Sequence, residues 1–234
     1  MRGCLSVLVL AALFVVVGAW FGGPPIAEAL VATGLTGSGL HSYNLEVQVQ
    51  SDPPLALALG RADRVVVSGT DVEWNGLTAD TLDLTLRGVD FLGRTADQAN
   101  GVLTGVELPN TRPPGSKANV DIAGPGNSAV VTITIDGTTV EAMAIEAFEQ
   151  KLGVRPTSAT LSEPNVIRFK AGPVTAAGAL TIGPGGSLDV STPLGTVTVL
   201  QPSPSQPIRL TSVGVENGSL VLTGTLDVRD LLGG

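Results

Sequence analysis

Four aspartates between residues 80 and 97 (Asp80, Asp83, Asp90 and Asp97) are the densest set of groups with catalytic potential in the sequence. A pair of carboxylates flanking a cleft is what glycoside hydrolysis requires, one as acid and one as base or nucleophile. Their placement argues against that use. Asp83 falls between Leu82 and Leu84 in "TLDLTLRGV" (81–89), where alternation puts it on the wet face of a strand. Asp90 and Asp97 fall in or near a turn. His41, close to Ser38 and Ser42, has the elements of a hydrolase triad, but it sits in a Gly/Ser-rich loop without a nucleophile-elbow pattern. "GPGNS" (124–128) and "GPGGS" (183–187) lack the Gly-Lys-Ser/Thr ending of a phosphate loop and read as hairpin turns. "NGS" (217–219) matches a glycosylation acceptor, and a hairpin already accounts for it. One histidine and one cysteine, Cys4, exclude an internal disulfide and the Cys- or His-rich zinc sites. No metal or cofactor is expected, and the chain is not read as an enzyme.

The apolar residues around those aspartates are more informative. Leu82, Leu84 and Leu86 alternate with Asp83, Thr85 and Arg87, giving a strand with one apolar face. "RVVVSGTDVEW" (64–74), the turn Asn75-Gly76 and "LTADTLDLTLRGV" (77–89) predict a hairpin, since Asn-Gly fits the tight turn that strand twist favours. "LTSVGVENGSLVLTGTLDV" (210–228) repeats the design around Asn217-Gly218, and "GALTIGPGGSLDV" (178–190) forms a third hairpin. "YNLEVQVQ" (43–50) is a further alternating strand. "DPPLALALG" (52–60) favours a short helix. The proline-rich stretches 110–117 and 200–207 read as loops. One long amphipathic helix is predicted, "TTVEAMAIEAFEQKLG" (138–153), with Thr138 and Glu141 as a capping box and Gly153 as its stop. Val140, Met143, Ala144, Ala147, Phe148 and Leu152 share one of its faces. The expected fold is α+β: a large curved antiparallel sheet of hairpins wrapped around that helix.

Composition and the N-terminus supply an address. A net charge of −8 argues against nucleic acid and against general attraction to anionic lipid. Arg2 precedes an uncharged apolar run from Cys4 to Phe21, about 27 Å as a helix and enough to cross a thin bilayer. The first charge after it is Glu28, so the remainder is expected outside the cytoplasm. Residues 1–23 are read as a signal anchor or signal peptide and 24–234 as the domain. "AEA" (27–29) has the form of a cleavage site, but "PPIAEALVATG" also reads as a short helix that cleavage would split, which favours a retained anchor.

The stretch "GRADRVVVSGTDVEWNGLTADTLDLTLRGVDF" (60–91) resembles the bacterial LmeA-like phospholipid-binding family. The likeness lies in Gly-Arg before a valine strand, a V-x-x-x-G-L turn, and a leucine strand ending at Gly88-Val89. "AEAL" (27–30), "PPLALALGR" (53–61), the helix after "TIDG" (134–137) and the closing hairpin extend it over roughly residues 26–228. The resemblance implies a fold related to tubular lipid-binding proteins, an apolar groove for acyl chains, and action at the cell envelope. It implies Leu55, Leu59, Leu82, Leu84, Leu86, Met143, Ala147 and Phe148 as lipid-binding residues. The acidic chain departs from what anionic headgroups favour, and Arg61, Arg64, Arg87 and Arg94, the one local concentration of positive charge, are read as the candidate headgroup contacts.

Two functions compete on this basis. The first is a non-enzymatic envelope protein that binds a phospholipid or similar lipid and transfers or presents it. The second is a membrane-tethered structural module without a ligand. A packed core explains the leucine face equally well under the second. An envelope hydrolase using the acids of 80–97 ranks last.

Overall fold

A computed structural model describes residues 28–29, 31–33, 35–36, 40–74, 77–108, 111–193, 195–201, 208–227 and 229. The apolar run 4–21 and the Asn75-Gly76 turn lie outside the described residues. No helix among the described residues is long and apolar enough to cross a membrane.

Antiparallel strands dominate. In chain order they are β1 (Leu40–His41), β2 (Glu46–Gln50), the short helix α1 (Leu55–Ala58), β3 (Arg61–Trp74), β4 (Leu77–Asp90), β5 (Gln98–Glu107), β6 (Lys117–Pro125) and β7 (Ala129–Ile135). The long helix α2 (Gly137–Leu152) follows, then β8 (Ser158–Ser162), β9 (Val166–Ala171), β10 (Val174–Ile182), β11 (Leu188–Thr192), β12 (Gly195–Leu200), β13 (Ile208–Glu216) and β14 (Ser219–Leu226). Two sheets result. The larger has the order β1-β3-β4-β5-β6-β7-β14-β13, with β2 also on β3; the smaller has the order β12-β11-β10-β9-β8.

The predicted hairpins are present. β3 and β4 pair from Arg61↔Asp90 to Trp74↔Leu77. β13 and β14 pair around Asn217 and Gly218, both at positive φ (51° and 79°), as a tight hairpin turn requires. β10 and β11 pair across the Gly/Pro turn at 183–187. β3 and β4 keep one register over their whole length, with the pairing interrupted at Asp63/Gly88 and at Asp71/Asp80. The register does shift between β5 and β6, between Leu103 and Val106, and an irregularity of that kind bends a strand and raises its twist. At the first interruption in β3/β4 pairing Gly88 takes φ 59°, and a Cβ there would lie 2.1 Å from an Asp97 carboxylate oxygen.

Helix α2 runs close to its predicted span, but its start differs from the capping box expected of Thr138 and Glu141. The N-cap is Asp136, whose carboxylate accepts from the Thr138 N–H (2.9 Å) and hydroxyl (2.5 Å). Glu141 instead reaches across to the neighbouring strand and accepts from the Leu161 N–H at 3.3 Å. Gly153, left-handed at φ 69°, ends the helix. The hydrogen bonds from Thr138, its hydroxyl first, hold the Asp136 carboxyl below the usual carboxylate range. Its folded-state pKa is therefore below the unfolded one. The stabilisation is complete above the unfolded value and is lost as pH falls through the folded value. Asp136→Ala is expected to lower the melting temperature at neutral pH, and the gap from wild type should close in strong acid. Melting curves recorded against pH check this; a gap of constant size would contradict it.

The core is divided between the sheets. One cluster joins the inward residues of β3 to β7 with Leu40, Val49 and Leu226. The other joins α2 (Val140, Met143, Ala144 and Phe148) to β8 to β12 and to Leu220 and Leu222 of β14. The long helix thus packs mainly on the smaller sheet, with β14 beside it. The larger sheet curls around a space lined mainly by its own side chains, with Leu200 of β12 and with Val31 and Leu35 from the helical residues near the N-terminus.

Candidate functional site

The face that carries Leu82 and Leu86 looks into a cavity of about 180 Å³. On this scale one water needs about 10–15 Å³, so the space would hold roughly a dozen. A buried water also needs two to four polar partners. Among the lining side chains only Thr78 and Glu107 carry polar groups, apart from the indole N–H of Trp74, and Glu107 is solvent-exposed at the rim. The interior therefore suits hydrocarbon, not water.

Strand pairing explains why these side chains converge. Leu82 pairs with Gly69 and Leu103, Leu84 with Val67 and Gly101, and Leu86 with Val65 and Ala99. Side chains opposite one another in register share a face, so the valines of β3 join the leucines of β4. Val120 and Ile122 of β6 continue the layer. Small residues sit beside the leucine row. At Gly101 an added Cβ would lie 2.9 Å from Leu84 Cδ1 and 2.8 Å from the Asp83 carbonyl oxygen. Leu82 and Leu86 are 8% and 3% exposed, whereas Leu84 between them is only half-buried and lines the cavity.

The other residues singled out by sequence lie elsewhere. Met143 and Phe148 are buried in the second core cluster and Ala147 packs against it; none of the three lines the cavity. Leu55 and Leu59 are exposed on and just after α1. Arg64 and Arg87 are register partners on the outer face, because their neighbours Val65 and Leu86 point inward. Arg61 and Arg94 are also exposed and do not line the cavity.

The aspartates with catalytic potential have structural employment. Asp80 takes both Lys117 Nζ contacts, 2.7 and 2.9 Å, passing over Gly105, where a Cβ would lie 2.0 Å from its oxygen. That hydrogen bond is the main reason the Lys117 amine is held above its ordinary range. Asp90 accepts from the N–H groups of Leu92 and Gly93 in its own turn. Asp97 fills the space over Gly88. Asp83 is exposed on the outer face. No group of three or more His, Cys, Asp or Glu suited to a metal occurs among the described residues.

A family model described as LmeA-like phospholipid-binding matches residues 18–225. The chain belongs to this family. The match covers every strand of both sheets except the last residue of β14. No curated protein and no solved structure matches the chain. Membership in the LmeA-like family gives the apolar cavity a chemical context, since the family is characterised by binding phospholipid.

Several lining positions escaped the sequence reading, among them Val31, Leu35, Leu103, Ile208 and Leu210. Their signal was present for β5 and β13, where apolar residues recur at alternate positions in part of each strand. That pattern says a face is buried. It does not say against what.

Proposed function

We propose that this protein binds a phospholipid or similar lipid without catalysis, with acyl chain in the cavity behind Leu82, Leu84 and Leu86. The observation that carries the reading is an apolar, curled sheet interior in a member of a phospholipid-binding family. Burial of about ten methylenes at ~0.8 kcal/mol each contributes roughly 8 kcal/mol. Association costs of about 4–15 kcal/mol consume much or all of that. Short chains are thereby disfavoured, and long-chain lipids favoured. A lipid arriving from a bilayer gains little in hydrophobic energy, because its chain was already buried there. Near-neutral exchange of that kind suits transfer or presentation between membranes better than permanent storage. The protein would work outside the cytoplasm at the cell envelope, held by the apolar run 4–21.

The test is native mass spectrometry of the full chain, recovered from the membrane fraction after a high-salt wash, together with analysis of its extracted lipid. The expected result is lipid in reproducible stoichiometry. A ligand-free protein would reject the reading and favour a tethered structural module. Loss of the protein into the salt wash would count against the anchor.

A further inference from the structure

One end of the larger sheet carries three exposed leucines from two separate loops. Leu55 and Leu59 belong to the α1 segment and Leu92 to the β4–β5 turn; they are 51%, 67% and 82% exposed. The loops are joined: Phe91 N–H donates to the Gly60 carbonyl at 2.8 Å, and a Cβ at Gly60 would lie 2.8 Å from Leu92 Cγ. An isolated exposed leucine needs no explanation, but side chains brought together at a fixed tip form a patch. Arg61 and Arg94 flank these loops, and the Arg64–Arg87 pair lies just beyond on the outer face.

Charge is distributed unevenly along the same strands. The far end of β3 to β5 carries Asp71, Glu73, Asp80 and Glu107, with Lys117 as a cation among them. At the leucine end Arg61, Arg64, Arg87 and Arg94 stand among Asp52, Asp63, Asp90 and Asp97, so the two signs are balanced there. Asp63 accepts from the Asp52 N–H at 2.6 Å, and Asp90 from the Leu92 and Gly93 N–H groups. In a chain of net charge −8, this is the one of the two strand ends that an anionic surface repels less.

Two further observations concern the same end. Phe91, next to Leu92, lines the cavity together with Val89, so the cavity runs toward the tip. Glu28 bonds the Val49 N–H at 3.3 Å, and Val49 pairs with Val65, much nearer Arg61 than Trp74 along β3. The apolar run ends at Phe21, seven residue steps before Glu28 and at most about 25 Å away when fully extended.

We infer that the tip formed by Leu55, Leu59 and Leu92 docks on the surface of an anionic lipid bilayer, with the surrounding arginines at headgroup level. The leucines enter the acyl boundary, and the arginines keep their stems against it and their guanidinium groups in the phosphate layer. Docking in this orientation presents the Phe91 end of the cavity to the membrane. It goes beyond the lipid-binding reading, and the docking surface itself does not depend on what the cavity holds.

The test uses the full chain in vesicles, with Cys4→Ser removing the native thiol. Leu59→Cys and Leu92→Cys are each labelled with a nitroxide, and Tyr43→Cys and Val174→Cys are the exposed controls. Relaxation by oxygen relative to a water-soluble relaxant reports depth, so a tether that merely holds the domain nearby does not count as docking. On phosphatidylcholine vesicles containing phosphatidylglycerol, the ratio at 59 and 92 is expected to exceed that at 43 and 174 several-fold. Arg64→Gln with Arg87→Gln, or omission of phosphatidylglycerol, should reduce the difference. Labels at 59 and 92 as wet as the controls overturn the inference, as does immersion indifferent to phosphatidylglycerol. Retained lipid is measured on the same samples by mass, so an empty cavity and an undocked tip are separate results.

Discussion

Leu84→Trp is expected to reduce the lipid that co-purifies with the protein while leaving the melting temperature of the lipid-free protein nearly unchanged. In a filled core the added ring would force neighbours off their rotamers, at about 1–3 kcal/mol. Leu84 has space that such a core lacks: it is half-buried between two buried leucines, and it lines a cavity of about 180 Å³. An indole directed there occupies volume that an acyl chain would otherwise take. Thr85→Trp is the control, because Thr85 pairs with Val66 and Asn100 on the opposite face and should leave lipid content alone. Lipid per folded molecule and thermal melting of delipidated protein are the two measurements. Unfolding by Leu84→Trp, or a full lipid load in both variants, would identify the leucine face as ordinary core.

Much of the fold was legible because it rests on local signals. Asn217-Gly218 determines a hairpin whatever surrounds it, and Gly153 ends a helix by admitting the left-handed conformation. The alternation in β4 likewise identified the buried face before any partner was known. What the sequence left open is mostly non-local. An apolar stripe on α2 states that the helix buries one side, and either sheet satisfies that condition. Its packing on the smaller sheet depends on complementarity with Phe169, Leu180 and Val190, residues that alternation marks only as inward. The arginine positions illustrate a second limit. Arg64 and Arg87 are close, as their clustering in sequence suggested, but strand parity places them opposite Val65 and Leu86 and so outside the curl. Asp136 exposes a third. Its acceptance of two hydrogen bonds from Thr138 overrides a capping pattern that began two residues later.

Phe148→Ala is expected to cost about 3–5 kcal/mol of folding stability, as for other large aromatic side chains removed from a core. The ring is 5% exposed, and its centroid lies 3.9 Å from that of Phe169 with the planes inclined by 35°. Contacts between α2 and the smaller sheet would be lost together with the burial of the ring itself. Natural domains are stable by only about 5–15 kcal/mol, so the variant should be severely weakened. Phe148→Leu, which keeps most of the apolar volume, serves as a milder companion that can be purified folded. The two effects to compare are the denaturation midpoint and the lipid retained per folded molecule. Since no side chain of α2 lines the cavity among the described residues, lipid retention should be unchanged in Phe148→Leu even as stability falls. A small stability loss accompanied by a clear drop in lipid would place Phe148 at the binding site, as the family resemblance alone implied. A large loss with lipid retention intact would instead separate the two clusters by role, with the helix and smaller sheet as support and the curled sheet as the container.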